Sequence, residues 1–422
     1  MTFRFLHAAD LHLDTPFSGV GRYPDHVRAV LQEASLAAFD DLIQVAIDRN
    51  VAFCVFAGDI YDGAERGMRA QRRFRDGLAR LAEHGIDSFV AHGNHDPVHE
   101  GWSAGLTWPD AVTFFPADTP SSHEVLVDGQ LAAIVHGVSF GTQHEHANLA
   151  VRFKRDPRPV FQVGVLHANV DGDASHARYA ECTTADLTGI GLHYWALGHI
   201  HQRSARSVDA TWIVYPGNLQ GRSPRPSEHG AKGAVIVAVD GAGAGATAAE
   251  PEFVALDRVR FATVDLDPAT FAELRTITEL EDTLHSAALE AMAAADGRSL
   301  MVRSTVRGRG PLHTDLRHAG VLTDLLDALR ERSGRTVEPL LWWDRVHDES
   351  SADLDVDAVR RRNDFVADLF ATVERLPTFD GFVPKMPPYL RKALADLPDP
   401  SSPEIVQAAV VAALDLLVGD DA

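Results

Sequence analysis

Eight short apolar, β-branched runs alternate with polar or helix-like stretches over residues 3–255, and this alternation limits the possible folds more than any other feature. The runs are "FRFLHAAD", "VAFCVFAGD", "IDSFVAHGN", "LAAIVHGVSF", "VFQVGVLHA", "YWALGHI", "TWIVYPG" and "GAVIVAVD". Strands separated by helical segments imply an α/β domain or an α-β-β-α layered one. Between the second and third runs, Phe74, Leu78, Leu81 and Ala82 recur at helical spacing, and Gly85 marks where that helix stops.

The pattern changes near residue 258. The expected organisation is an α/β domain over 1–257, a small α+β domain over 258–348 and a helical region over 349–422. At 422 residues the chain can hold two or three domains, one with a full α/β core. The stretch "DGAGAGATAAEPE" reads as a linker at first sight, but its flanking strand-like runs make a hairpin loop equally consistent. Thr278 with Glu281 resembles a capping box for a helix near 278–295, and a second helix is expected near 314–332. Ser402-Pro403-Glu404 opens a last helix, Ile405 to Val418, suited to packing on its own domain or docking to a partner helix. No run approaches the roughly 18–20 apolar residues that cross a bilayer. No charged-then-apolar leader precedes the first strand, so a cytoplasmic location is expected. Cys54 and Cys182 lie far apart without CxxC spacing, which points away from a zinc ribbon, and Cys54 reads as a core residue.

A net charge of −21 sits awkwardly with nucleic-acid binding, which draws on Lys and Arg contacts to phosphate. Three resolutions stay open: the partner is not nucleic acid, metals and local Arg clusters do the work, or another subunit grips the strand.

Five of the strand candidates end in metal-type ligands: Asp10 and His12, Asp59, Asn94 and His95, His167, then His199 and His201. In open α/β sheets ligands bind beyond the carboxyl ends of strands. Asp-x-His and His-x-His spacing points both side chains the same way in an extended segment. Carboxylate, imidazole and amide oxygen without thiolate suit Mn²⁺, Fe²⁺ or Zn²⁺. Any single histidine among the 21 is more often surface or core, and His7, His26, His144, His146 and His229 are read so. An ordered set of five strand ends is much harder to reach by coincidence.

These blocks resemble those of the calcineurin-like metallophosphoesterases, over roughly residues 3–255. The resemblance implies a four-layer domain with two metals sharing Asp59. It places Asp10, His12, Asp59 and His201 on one, and Asp59, Asn94, His167 and His199 on the other. It makes His95 the non-ligand histidine that stabilises the pentavalent state or protonates the leaving group, with Asp62 in "GDIYDG" orienting it. Two cations roughly 3.5–4 Å apart can polarise a phosphoryl group and activate hydroxide for in-line displacement.

The protein-phosphatase pattern has Arg after the second Asp of this block, where this chain has Gly63. "IVYPGNLQGR", "YWALGHIHQR" and "VHGVSFG" resemble blocks of the SbcD-type exonucleases, most closely their YhaO-like branch. That resemblance implies an α+β capping domain, C-terminal helices that dock on an SMC-like coiled-coil ATPase, a DNA substrate and Mn²⁺. The expected protein is thus a DNA-repair exonuclease subunit. The alternatives are a small-phosphoester phosphodiesterase or phosphatase, and a docking subunit with little activity alone; a homodimer is also open. Phosphate contacts are expected from Arg222, which follows a strand end near the metal histidines. Arg66, Arg69, Arg72, Arg73 and Arg75, Arg152, Lys154, Arg155 and Arg158, and Arg225 offer others, though charge runs are usually solvated faces.

Overall fold

The computed structural model describes residues 2–353 apart from 16, 18–22, 64–66, 102–103, 118, 174–178, 242–244 and 335–338, and beyond these only Ala358, Arg361 and Asp368. The expected helix from Ile405 to Val418 and the phosphate contact at Arg66 lie outside the described residues. The chain divides into two compact units. One comprises Met1–Ala262, Met292–Met301 and Thr336–Trp342; the other comprises Thr263–Ala291, Val302–Arg335 and Trp343–Ala422.

The first unit contains two mixed sheets. The chain builds β1 (Phe3–Ala8), β2 (Phe53–Ala57), β3 (Asp87–Ala91) and β4 (Val112–Phe114) as parallel neighbours. It then lays down the second sheet from β5 (Ser121–Val127), β6 (Gln130–Gly137), β7 (Phe161–His167), β8 (Tyr194–Gly198), β9 (Ser204–Val208) and β10 (Thr211–Tyr215). Here β6, β7, β8 and β10 are parallel, and the edge strands β5 and β9 are antiparallel to their neighbours. The chain returns to the first sheet through β11 (Gly233–Asp240), which pairs antiparallel with β1. The β12 (Thr247–Ala248) and β13 (Glu252–Ala255) strands both fold back antiparallel on β11, so the Gly/Ala-rich stretch is a hairpin connection.

All eight expected strands are present, because each buries apolar side chains on both faces. Phe5 stacks on Phe53 at 4.9 Å, and Tyr194 meets Phe5 edge-on at 5.1 Å, within the core shared by the two sheets. A fully buried Phe contributes about 1.5–3 kcal/mol, so Phe5→Ala would damage the site's foundation. On the outer face of the first sheet lie α1 (Asp25–Asp48) and α2 (Met68–Glu83), with Phe39, Leu42, Phe74 and Leu78 buried against it. On the second sheet's outer face lies α3 (Thr184–Ile190), held by a Thr183–Asp186 capping box, with Leu187 packed in the same core as Trp195. The layers are therefore α-β-β-α.

Further along, β14 (Val259–Thr263), β15 (Ser299–Gly310) and β16 (Leu341–Ala352) form a three-stranded sheet in that order. The intervening helices are α4 (Pro268–Glu273), α5 (Ile277–Ala293), α6 (His313–Arg317) and α7 (Val321–Ser333). Two expectations need correction. The capping box at the start of α5 is Thr276 with Glu279: Glu279 N–H donates to the Thr276 hydroxyl at 3.2 Å, and Thr276 N–H donates to the Glu279 carboxylate at 3.1 Å. A Thr-x-x-Glu pattern occurs twice in "TITELE", and only the first coincides with the helix start. The single helix expected over 314–332 is two, broken where Gly320 adopts φ +96°.

Candidate active site

The strand ends of the two sheets meet at one rim, where the backbone takes unusual turns. Asp10, His12, Asp59 and His199 have φ of 51°, 43°, 52° and 100°, a region uncommon for residues with a side chain. Strained conformations of this kind cluster at functional sites. Two glycines make the convergence sterically possible. A Cβ on Gly198 would overlap the Ala57 carbonyl oxygen, and one on Gly93 would overlap the Asp59 carboxylate. The Gly-Asn-His and Gly-His pairings thus reflect close packing of β3 and β8 ends against the end of β2.

All seven residues expected to hold metals gather there, and all but His201, which is half-buried, are buried. Asn94 Oδ1 faces His167 Nε2 at 3.0 Å and His199 Nδ1 at 3.1 Å. His12 Nε2 lies 3.2 Å from His201 Nε2 and 3.8 Å from Asp59 Oδ2. Asp59 Oδ2 is 3.4 Å from His167 Nε2, while its Oδ1 accepts the His95 backbone N–H at 2.9 Å. Asp10 accepts the His199 N–H at 3.0 and 3.1 Å. Ligand atoms of Asp10, His12 and His201, and of Asp10, Asp59 and His167, fall within 4.8 Å of one another.

The donor set suits divalent cations. The His167 Nδ1–H donates to the Ala57 carbonyl oxygen at 2.9 Å, which leaves Nε2 facing the cluster. The His201 Nδ1 is held by the Glu228 carboxylate at 2.8 Å, which leaves its Nε2 facing His12. Imidazoles tethered through one nitrogen to a carbonyl or carboxylate are typical of metal-binding histidines. Burial drives His12 down to about 3, with Arg222 adding to the effect, so its imidazole is neutral and one ring nitrogen keeps a lone pair for a cation. Burial raises Asp10 to about 6 despite His167 and His201. Burial also opposes charge on His167, but Asp59 and Asp10 outweigh it and lift the group to about 9. Two buried carboxylates thus call for positive charge, as uncompensated buried anions do.

At the mouth, His95 donates from Nδ1 to Asp62 Oδ1 at 2.5 Å, with 37% of its side chain exposed. Burial disfavours charge on His95, but the Asp62 hydrogen bond and the Asp59 charge raise its pKa above the ordinary histidine value. Burial likewise opposes charge on Asp62, yet the His12 ring 3.6 Å away and the hydrogen bond from His95 hold it far below the usual carboxylate range. Arg222 reaches the same carboxylate, pairing through Nη2 with Asp62 Oδ2. A small recess of about 40 Å³ beside His95 is lined by Gly63, Asn94, Pro97, Glu100 and Gln143.

Several supporting residues had no role assigned from sequence. Asp96 is fully buried and accepts the Ile60 and Gly93 N–H groups at 2.9 and 2.7 Å, tying the β2 and β3 ends together. His92 lies 3.3 Å from Asp96 and stacks on Phe114. Glu228 holds His201 and also accepts from Asn218 Nδ2 at 2.7 Å and the Arg222 N–H at 3.2 Å. Lys232 donates to the His201 carbonyl oxygen at 2.9 Å. Four arginines of these runs are engaged with carboxylates: Arg69 with Asp14 and Glu33, Arg73 with Asp40, Arg75 with Asp76, and Arg158 with Asp156 and Glu124.

The calcineurin-like phosphoesterase family model matches residues 3–203, and the model of the middle domain of metallophosphoesterase YhaO matches 244–351. The chain is 30% identical to the uncharacterized metallophosphoesterase YhaO of Bacillus subtilis, over 88% of this chain and 87% of that one. It is 25% identical to the DNA double-strand break repair protein Mre11 of Aeropyrum pernix, over 51% of this chain and 53% of that one. Against Mre11 of Thermoplasma acidophilum the identity is 37%, over 44% and 50%. The chain belongs to the calcineurin-like metallophosphoesterases, in their YhaO/Mre11-type branch. It is accordingly a metal-binding hydrolase of phosphate esters.

Proposed function

We propose that this protein hydrolyses DNA phosphodiester bonds with two divalent ions, Mn²⁺ foremost and Fe²⁺ or Zn²⁺ as alternatives. The observation that carries this reading is the Asp62–His95 pair at the mouth of a cluster of buried carboxylate, amide and imidazole donors. Asp10, His12, Asp59 and His201 would hold one ion, and Asp59, Asn94, His167 and His199 the other. When bound, the ions would neutralise phosphoryl charge and make water a nucleophile at neutral pH. The Asp62 and Asp59 carboxylates favour the charged ring of His95, protonated at Nε2 as well as at the Nδ1 that donates to Asp62, and it delivers the Nε2 proton to the departing sugar oxygen. The half-exposed setting of His95 gives a polymer access that a closed pocket would deny. A DNA substrate and a task in DNA repair are supported by the names of the Mre11 relatives, and exonuclease action rests on the resemblance of "IVYPGNLQGR", "YWALGHIHQR" and "VHGVSFG" to SbcD-type blocks.

End-labelled single- and double-stranded DNA, incubated with Mn²⁺-loaded protein, tests the reading. Cleavage by the wild type is expected, with His95→Ala lower by on the order of 10²–10⁴-fold at unchanged metal content. Cleavage that is equal in the two proteins would remove the role given to His95. A second reading, hydrolysis of small phosphoesters, is favoured by the net charge of −21 and by the pairing of Arg69, Arg73, Arg75, Arg158 and Arg222 with carboxylates. It predicts turnover of bis(p-nitrophenyl) phosphate with DNA left intact. Docking on an SMC-like coiled-coil ATPase, homodimerisation and a cytoplasmic location belong to the same reading of the branch. Among the described residues, no helix is long and apolar enough to cross a membrane.

A further inference from the structure

The guanidinium of Arg222 faces a carboxylate that is already committed to another group. Its Nη2 pairs with Asp62 Oδ2, while the other oxygen of that carboxylate receives the His95 Nδ1 proton at 2.5 Å. Asp62 has no rotational freedom left when both oxygens are held, so the plane of the carboxylate sets the direction in which His95 presents Nε2. The Arg222 backbone is fixed in turn, its N–H donating to Glu228 Oε2 at 3.2 Å. Only 25% of the Arg222 side chain is exposed, and its Nε is buried without a hydrogen-bond partner among the described residues. A clamp for phosphate would point its fork outward, as bidentate binding of an oxyanion requires. Here Nη2 of the fork is already spent on Asp62.

We infer that Arg222 is a positioning residue for the leaving-group proton donor, acting through Asp62 on His95, and not a phosphate clamp. The inference rests on the phosphodiesterase reading above. In the step concerned, the oxygen of water forms the new bond to phosphorus. The old P–O bond breaks with its electron pair on the leaving oxygen, which takes the Nε2 proton of His95. The proton that water gives up restores the imidazole. A group that only orients His95 matters in proportion to how much the leaving oxygen needs that proton. A p-nitrophenolate departs without one; an unsubstituted phenolate needs it far more, and a sugar alkoxide more still.

The experiment compares the Mn²⁺-loaded full chain with Arg222→Met on thymidine 5′-(p-nitrophenyl) phosphate and thymidine 5′-phenyl phosphate. Arg222→Met is expected to lower kcat on the phenyl ester by roughly tenfold to a hundredfold, a part of the total that acid catalysis contributes. On the nitrophenyl ester, kcat should change by less than about threefold, and KM should hold within about twofold on both, since uniform binding is not what Arg222 supplies. Arg222→Lys, which keeps the charge, should recover part of the phenyl-ester rate. In a His95→Ala background the Arg222→Met change should have no further effect, because residues acting as one unit are not additive. A raised KM on both esters with unchanged kcat would make Arg222 a clamp and overturn the inference. So would equal loss on the two esters, or additive losses in the double variant. A wild type that turns over neither ester, although metal-loaded, would overturn the phosphodiesterase reading and the inference with it. Selective failure in Arg222→Met overturns nothing but the clamp.

Discussion

His7 sits on β1 between the sheets and carries no catalytic assignment, yet its chemistry is sharply defined. Its Nε2–H donates to the Leu197 carbonyl oxygen at 3.2 Å, and its Nδ1 accepts from the Tyr194 hydroxyl at 3.0 Å. Complete burial lowers its pKa to about 3, with the Leu197 hydrogen bond only partly offsetting the loss of hydration. The unfolded chain protonates this group near 6.5, so between about 3 and 6.5 the unfolded state binds the extra proton. The stability that His7 contributes is therefore complete above about pH 6.5 and is lost as pH falls towards 3. Its slope approaches about 1.4 kcal/mol per unit. The glutamine in His7→Gln can make both hydrogen bonds but cannot titrate. Urea denaturation at pH 7.5, 6 and 5 should therefore show the wild type weakening relative to this variant as acid is added. Parallel curves would show that His7 is not the titrating group. The same scale explains which site residues were legible. Asp10 and His12, or His199 and His201, announce themselves because two ligands two positions apart need only a local turn.

Among the elements, the short turn Pro226–Glu228 does what no strand end does, by delivering a carboxylate to a histidine 27 positions earlier. Glu228 fixes the His201 tautomer and, through Asn218 and the Arg222 N–H, ties the β10 exit to the rim. Burial opposes its charge, but the His201 hydrogen bond outweighs that and holds the group at about 2. Replacing a partner that orients a metal-binding histidine typically costs ten- to a hundredfold in affinity. Glu228→Gln should weaken Mn²⁺ binding in calorimetric titration by about that factor, while circular dichroism is unchanged. Undiminished affinity would mean that His201 is oriented by other groups. The sequence offered no signal for Glu228, because "SPRPSEHG" reads as loop and its partner lies across the fold. Edge elements were equally silent. The β9 sequence SARSV is almost wholly exposed, and an edge strand needs no apolar pattern. Helix α1 also went unnamed from the sequence, although Val27, Leu31, Ala34, Ala38 and Leu42 recur at helical spacing and are all buried.

At the scale of the whole molecule, the net charge of −21 concentrates attention on the rim, where Asp10 and Asp59 are buried beside one another. A cation that binds there in the folded state and not in the unfolded one stabilises the fold by mass action, by about 2.7 kcal/mol at a hundredfold excess over Kd. Chelation with EDTA should lower Tm, and added Mn²⁺ should restore it in a concentration-dependent way. An unchanged Tm across that series would argue against ion binding at the rim.

Two kinds of information separate cleanly in this chain. Strand identity, the α/β layering and eight ligand-type residues at strand ends came from local pattern, since burial on both faces and turn spacing are written within a few neighbouring residues, and the resemblance set His95 apart from the other seven. The resemblance added the roles of His95 and Asp62. Only the tertiary structure joined Glu228 to His201, Asp96 to the ends of β2 and β3, and Arg222 to Asp62. These pairings link residues up to 160 positions apart, brought within hydrogen-bonding distance by the packing of the two sheets and not by any neighbour in the chain.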